Sequence, residues 1–245
     1  MKERIYTIPV NDAFAAAGEC PLCSLEDRLS EDLVGYFLGP SLMEPDVRTT
    51  TNARGFCRDH LARLYNRQEN RLGLGLMLHT HLADLDRDIL DRMKRLGGVA
   101  GGLFRRKEAT DPLRKLAAHL EERRNACALC DRINATMDRY VDVILWQYFN
   151  EREFRARFDA CEGFCLRHLS LLLSGASRYL DARQAGEMAE ALRRIQEACL
   201  SRLEADVEWF TLKFDYKNHD KPWGNSRDAL PRAIRRLHGT SDLQR

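Results

Sequence analysis

Two kinds of short motif in this sequence carry side chains that bind metal ions. A Cys-x2-Cys pair occurs at Cys20 and Cys23, and again at Cys127 and Cys130. In such a pair, one tight turn presents two thiolates to a single ion. Both pairs therefore predict half of a metal site.

A Cys-x2-His pair also occurs twice, first as Cys57 with His60 and then as Cys165 with His168. At the start of a helix, residues three apart lie on the same face, so the thiolate and the imidazole can meet one ion. Each half of the chain thus offers three sulfurs and one imidazole, which is a complete tetrahedral set. The simplest arrangement closes each set within its own half, but the sequence leaves open whether the halves exchange ligands.

Zinc is the ion that these donors favour, because thiolate and imidazole ligands in a tetrahedron suit a borderline-soft cation. We therefore expect two zinc ions per chain, each held by four protein ligands and contributing to folding rather than to catalysis. Two alternatives stay open. The thiolates could hold an iron–sulfur cluster in which histidine replaces one cysteine, or they could be buried thiols without a metal.

Two further cysteines lie outside these motifs. Cys161 precedes Cys165 by one helical turn, and the first copy has Ala53 at the matching position. It is a candidate extra ligand, or a reactive thiol if a nearby metal or His168 lowers its pKa; the alternative is a free thiol close to the site. Cys199 lies in an apolar helical stripe and is predicted to belong to the core.

The motifs are two copies of one pattern, about a hundred residues apart, which indicates a duplicated module rather than short repeats. We predict an all-α fold of two tandem helical modules, each clipped by a Cys3His metal site and packed as one bundle. The predicted modules are 1–96 and 111–216, joined by a glycine-rich and basic linker at 97–110 and followed by a tail with a short helix at 217–245.

Each module ends in a long amphipathic helix. In the first helix, Leu78, Leu82, Leu85 and Ile89 recur at helical spacing. In the second, apolar residues from Met188 to Phe210 recur at nearly the same spacing. We expect ordinary core packing for both stripes.

Aromatic and charged residues alternate near the C-terminus, where Pro222 and Gly224 interrupt the helical pattern. One interpretation is that the rings pack on the bundle. The other is a ligand pocket lined by Lys213, Asp215, Tyr216, Asp220 and Trp223.

The composition favours neither nucleic acid nor a membrane as partner. The formal net charge is +2, which produces no strong field. No apolar run approaches the length of a bilayer span, and the N-terminal residues lack the apolar stretch of a signal peptide. We therefore expect a cytoplasmic protein. Since thiols there stay reduced, its eight cysteines are better explained as ligands than as disulfides.

The motif pairs CPLC at 20–23 and GFCxxH at 55–60, together with KFDYxNxDKPWG at 213–224, resemble those of an uncharacterised family of bacterial proteins that contain a domain of unknown function. The resemblance covers nearly the whole chain and implies that the tail belongs to the domain. It implies no activity or substrate.

These patterns predict a metal-binding helical scaffold or adaptor that binds a protein partner or a small ligand, with the metal mainly structural. The alternative is an iron–sulfur or open-site metalloenzyme that uses the second module with Cys161. The arginines of the linker and helices give a weaker case for nucleic-acid binding. The oligomeric state stays open.

Overall fold

A computed structural model describes residues 4–16, 18–97 and 110–239. Within these ranges the chain forms eleven α-helices and no strand, which confirms the all-α prediction. The predicted linker at 97–110 lies outside the described residues except at its two ends.

The helices are listed in chain order: α1 Arg4–Ala15, α2 Pro21–Leu38, α3 Pro45–Arg54, α4 Arg58–Arg67, α5 Arg71–Gly97, α6 Thr110–Asn125, α7 Ala128–Asn150, α8 Arg152–Asp159, α9 Leu166–Tyr179, α10 Ala182–Leu212 and α11 Ala229–His238. Short 3-10 helices occupy Pro40–Met43, Tyr216–Asn218 and Gly224–Asp228.

The chain forms two compact units. The terminal unit comprises Met1–Arg28 and Ala135–Arg245, and the central unit comprises Leu29–Asn134. Their boundaries fall inside α2 and α7, whereas the sequence predicts a division at the linker. The modules predicted from the repeated motifs therefore differ from the two compact units of the structure.

Aromatic rings form the core of the terminal unit. Phe158 is fully buried, with its ring centroid 5.5 Å from that of Phe14 and 5.4 Å from that of Phe164. The α10 stripe is buried from Met188 to Leu203 and includes Cys199, as predicted. This packing fixes Phe164, which immediately precedes a candidate ligand.

The core of the central unit is smaller. Phe37 packs edge-on against Phe56 with 5.9 Å between ring centroids, and Leu64 and Met77 are buried. The α5 stripe, expected to be ordinary core, is only partly buried beyond Met77: Leu78, Leu85 and Ile89 are half-buried, and Leu82 is 59% exposed. Much of this helix therefore presents its apolar side chains to solvent.

Candidate metal centres

A glycine in a left-handed backbone conformation precedes each Cys-x2-His pair by two residues. Gly55 has a φ of 58° and Gly163 a φ of 117°, and side-chain-bearing residues rarely adopt such angles. The space beside both glycines is also too small for a side chain. A Cβ on Gly55 would lie 2.5 Å from the His81 ring, and one on Gly163 would lie 2.8 Å from Cys199 Sγ. The GFC sequence thus encodes a sharp turn into the following helix.

That turn places each cysteine at the N-cap of a helix. Cys57 caps α4 and Cys165 caps α9, both with extended backbone. The histidine three residues later then lies in the first helical turn, on the side of its cysteine. The Cys57 sulfur lies 3.2 Å from His60 Nδ1, and the Cys165 sulfur lies 3.2 Å from His168 Nδ1.

The Cys-x2-Cys pairs lie at the start of α2 and of α7. Backbone N–H groups turn back toward the first cysteine of each pair: Cys23 N donates to Cys20 O at 3.1 Å, and Cys130 N lies 3.4 Å from Cys127 Sγ. The two sulfurs of each pair therefore face the same point.

Four of these residues meet in the terminal unit, and we call them the terminal set: Cys20, Cys23, Cys165 and His168. Their ligand atoms all lie within 4.8 Å of one another. Cys23 and Cys165 have sulfurs 3.6 Å apart, and His168 Nδ1 lies 3.3 Å from Cys23 and 3.6 Å from Cys20.

The other four meet in the central unit, and we call them the central set: Cys57, His60, Cys127 and Cys130. The sulfurs of Cys57 and Cys130 are 3.8 Å apart. His60 Nδ1 lies 3.4 Å from Cys127 and 3.3 Å from Cys130. Both sets are thus three thiols around one imidazole nitrogen.

The pairing differs from the simplest expectation from sequence. Each set takes its Cys-x2-Cys pair from one copy of the motif and its Cys-x2-His pair from the other, so closure within a single half is wrong. The physical reason is visible in the central unit, where Ala128 N, at the start of α7, donates to Gly55 O at 3.0 Å. Backbone pairing of the second Cys-x2-Cys helix start with the first GFC turn brings those two motifs together.

The observed spacings suit one tetrahedral ion. A zinc ion with Zn–S of about 2.3 Å and Zn–N of about 2.0–2.1 Å separates two sulfur ligands by about 3.8 Å and sulfur from nitrogen by about 3.5 Å. In an iron–sulfur cluster the thiolates bind different irons, and thiolates on different irons lie farther apart than two ligands of one ion. Both sets could hold a single metal ion, and their donors fit one.

Electrostatics within each set favour at least one thiolate. Hydrogen bonds with Cys20 and Cys23 lower the pKa of Cys165, and a hydrogen bond with Cys130 is the main cause that lowers the pKa of Cys127 to about 3. The proton remains with a partner: hydrogen bonding to Cys165 raises the pKa of Cys23, and hydrogen bonding to Cys127 raises that of Cys130. A metal ion would displace these remaining protons.

The two imidazoles have different partners on the side away from the sulfurs. His168 Nε2 lies 3.2 Å from Glu26 Oε2, and Arg167 pairs with the same carboxylate at 2.7 Å. Burial opposes the charged imidazole, but hydrogen bonds to Cys165, Cys20 and Glu26 outweigh it and raise the pKa of His168 to about 11. His60 Nε2 instead lies 3.5 Å from the hydroxyl of Ser30.

Comparison with known proteins identifies a family. The model of a family of unknown function, DUF6062, matches residues 1–244. The chain belongs to this family. No curated protein and no solved structure matches it. The family membership predicted from the motifs is confirmed, and the tail of this DUF6062 chain lies within the matched range.

No helix among the described residues of this DUF6062 protein has the length and apolar character that crossing a bilayer requires.

Cys161 lies outside both sets of converging ligand atoms. Burial is the main cause that raises the pKa of Cys161 to about 12. The structure does not bring it in as a fifth ligand, and a raised pKa is the opposite of what a reactive thiolate requires.

The five tail residues proposed as a pocket have different surroundings in the structure. Lys213 is 5% exposed, and its Nζ donates to the backbone oxygens of Asn218 and His219 at 2.7 Å each. Trp223 lies against the same ammonium group, 5.2 Å from ring centroid to Nζ. Asp215 caps the following 3-10 helix by accepting from Lys217 N at 3.0 Å, and Tyr216 and Asp220 are exposed.

The contacts of Lys213, Asp215 and Trp223 therefore contribute to the folding of the tail itself. Buried Lys213 donates hydrogen bonds to carbonyl groups of the loop that follows it, and the ring of Trp223 packs against its ammonium group. The interpretation in which the rings pack on the helices agrees with this arrangement, since Phe210 of α10 lies 5.8 Å from Trp223 between ring centroids.

The sequence did not single out the residues that surround the terminal set. Arg236 is 2% exposed and donates to Glu19 Oε2 at 2.7 Å and to Glu162 O at 3.3 Å. Glu19 directly precedes Cys20, and Glu162 lies on the approach to Cys165. Arg236 thus fastens together the two segments that supply the terminal ligands.

A cleft of about 210 Å³ opens beside the terminal set. Three of the four ligand residues border it, together with charged side chains of both signs: Glu19, Asp27, Arg235 and Arg236. A small molecule in this cleft would lie beside Cys20, Cys23 and Cys165.

Proposed function

We propose that the protein is a zinc-stabilised helical scaffold that binds two ions per chain and presents a surface to a protein partner or a small ligand. The observation that carries the proposal is the convergence of three thiols and one imidazole, twice, within 4.8 Å. Four protein ligands leave no open position for water, so the ions would act on folding rather than on a substrate.

Spacing supports zinc over an iron–sulfur cluster. Sulfur separations of 3.6 and 3.8 Å match two ligands of one tetrahedral ion. The alternative of a redox or open-site centre that uses Cys161 has less support, because that thiol stands outside the terminal set. Metal binding requires reduced thiols, and the proposal therefore includes a reducing compartment, the cytoplasm.

Two features support a binding role. Exposed apolar side chains lie along the solvent face of α5, and such residues in a row are typical of interaction surfaces; they are Leu72, Leu76, Leu82, Leu90 and Met93. The cleft beside the terminal set is the corresponding place for a small ligand.

Metal analysis of protein purified without oxygen tests the proposal. We expect two zinc ions per chain and no visible absorption band. An iron–sulfur chromophore would overturn the assignment of zinc. Protein that neither contains a metal nor binds added zinc would overturn metal binding itself.

A further inference from the structure

The two sets have the same kinds of donor atom but differ in the groups that surround them. We infer that the terminal set holds its ion more tightly than the central set, so that the central set is the exchangeable site when zinc is scarce. This inference rests on the proposed function and adds that one ion is retained while the other exchanges.

The first difference lies behind the imidazoles. His168 presents Nδ1 to the sulfurs and donates its Nε2–H to the Glu26 carboxylate at 3.2 Å, and Arg167 holds that carboxylate in place. A carboxylate in this position orients the ring and increases its basicity as a ligand; losing such a partner typically costs 10–100-fold in metal affinity.

Among the residues that the structure describes, the group behind His60 is a hydroxyl and not a carboxylate. His60 Nε2 lies 3.5 Å from Ser30 Oγ, which also accepts a hydrogen bond from Arg63 at 3.1 Å. A neutral hydroxyl at the limit of hydrogen-bonding distance orients the ring less firmly than a carboxylate. The adjacent guanidinium also withdraws electron density from the hydroxyl instead of supplying charge.

The second difference is burial. In the terminal set Cys20, Cys165 and His168 are 5%, 0% and 1% exposed, and Cys23 is partly exposed. In the central set two ligands, Cys57 and Cys130, are partly exposed. Water and solvent protons therefore compete for the central ligands more readily.

The third difference is how firmly the ligand segments are tied together. In the terminal set the tie is the Arg236–Glu19 pair, whose side chains are 2% and 23% exposed. The central set has a similar tie between Arg54 and Asp131 at 2.7 Å, but those side chains are 44% and 48% exposed. Exposed ion pairs contribute little, so the central ligands are less preorganised and lose more entropy when they bind an ion.

One feature acts in the other direction on rates. The cleft beside Cys20, Cys23 and Cys165 gives a chelator a route to the terminal sulfurs. The three differences above concern affinity, and the test must therefore be made at equilibrium rather than from the speed of metal release.

Loss of the central ion would have a local consequence. Within the central unit, that ion would join the start of α4 to the start of α7. Without it, the Ala128–Gly55 hydrogen bond and the exposed Arg54–Asp131 pair would still connect these segments. Zinc supply would thereby control the order of this part of the central unit.

The test uses the full chain with one set disabled at a time. Cys130→Ser leaves the terminal set intact, and Cys23→Ser leaves the central set intact. Zinc affinity is measured for each by equilibrium competition with a chromophoric chelator, without oxygen. We expect the Cys130→Ser chain to bind zinc at least ten-fold more tightly, and equal or reversed affinities would overturn the inference.

A second measurement covers the case in which a variant fails to fold. The unaltered chain, loaded with zinc, is equilibrated with increasing chelator and examined by hydrogen exchange. We expect amides of 55–60 and 126–131 to lose protection at lower chelator concentration than those of 19–24 and 163–168. Simultaneous loss, or the reverse order, would contradict unequal affinity while leaving two zinc sites in place. Absence of any zinc binding would instead refute the proposed function.

Discussion

The carboxylate of Glu26 lies 3.2 Å from Nε2 of His168, on the side of the ring opposite to the nitrogen that faces the three sulfurs. Glu26 follows Cys23 by three residues on α2, so one helical turn supplies both a ligand and the group that supports another ligand. This relationship makes the metal site depend on a residue that cannot itself touch the ion.

Glu26→Gln should therefore weaken the terminal set without dismantling it. The amide keeps the shape of the side chain but loses the charge, and we expect a 10–100-fold loss of zinc affinity at this set. The measurement is chelator competition in a Cys130→Ser background, where only the terminal set is complete. Glu31→Gln is the matched control, because Glu31 pairs with Arg63 in the central unit, and it should leave this affinity unchanged. An affinity within two-fold of the parent for Glu26→Gln would show that the carboxylate has no supporting role.

The sequence singles out the residues that the structure gathers into two candidate sets, because metal binding restricts residue type and spacing very strongly. Both Cys-x2-Cys pairs and both Cys-x2-His pairs are brought together as halves of sets, and the all-α fold follows from helical periodicity without alternating apolar runs. Glu26 also had a detectable signal, since a position three residues after Cys23 lies on the same helical face.

The exchange of ligands between the two copies could not be predicted in the same way. The entropy of closing a loop grows only slowly with its length, so the short separation of Cys23 from Cys57 gives little preference over the longer one from Cys165. Tertiary packing decides the pairing. The role of Arg236 could not be predicted either, because its partner Glu19 is far away in the sequence and no periodic pattern connects the two residues.

The glycines before the Cys-x2-His pairs give a second prediction. Gly163→Ala should lower the free energy of unfolding by roughly 2 kcal/mol or more, because φ is positive and the new methyl group meets Cys199. Denaturant unfolding of the zinc-loaded protein measures the change. Gly186→Ala is the control: Gly186 lies in α10 with no atom within 4 Å of a Cβ, and alanine there should stabilise by roughly 0.5–1 kcal/mol. Equal effects of the two substitutions would contradict the strained turn.

The buried lysine of the tail gives a third prediction. Lys213→Met removes the donor that gathers the carbonyl groups of Asn218 and His219, and hydrogen bonds to charged groups contribute roughly 1.5–3 kcal/mol. We expect the loop at 214–223 to become sensitive to limited proteolysis and the fluorescence of Trp209 and Trp223 to change. Lys217→Met alters an exposed lysine close by and should do neither. Unchanged proteolysis of the Lys213→Met chain would contradict this role of Lys213 and favour the alternative in which the tail residues line a ligand pocket.

The exchanged pairing makes the fourth prediction, and paired substitutions distinguish it cleanly from closure within each half. Cys20 and Cys165 belong to one set although they come from different copies of the motif, whereas Cys20 and Cys57 belong to different sets although they come from the same copy. Cys20→Ser with Cys165→Ser damages only the terminal set, so this chain should retain one zinc ion. Cys20→Ser with Cys57→Ser damages both sets, so it should retain none. Closure within each half would produce the opposite stoichiometries, and metal analysis of the two double variants after equilibrium dialysis against a weak chelator decides between them. The same measurement on each single variant serves as the control, since each should retain one ion under either pairing.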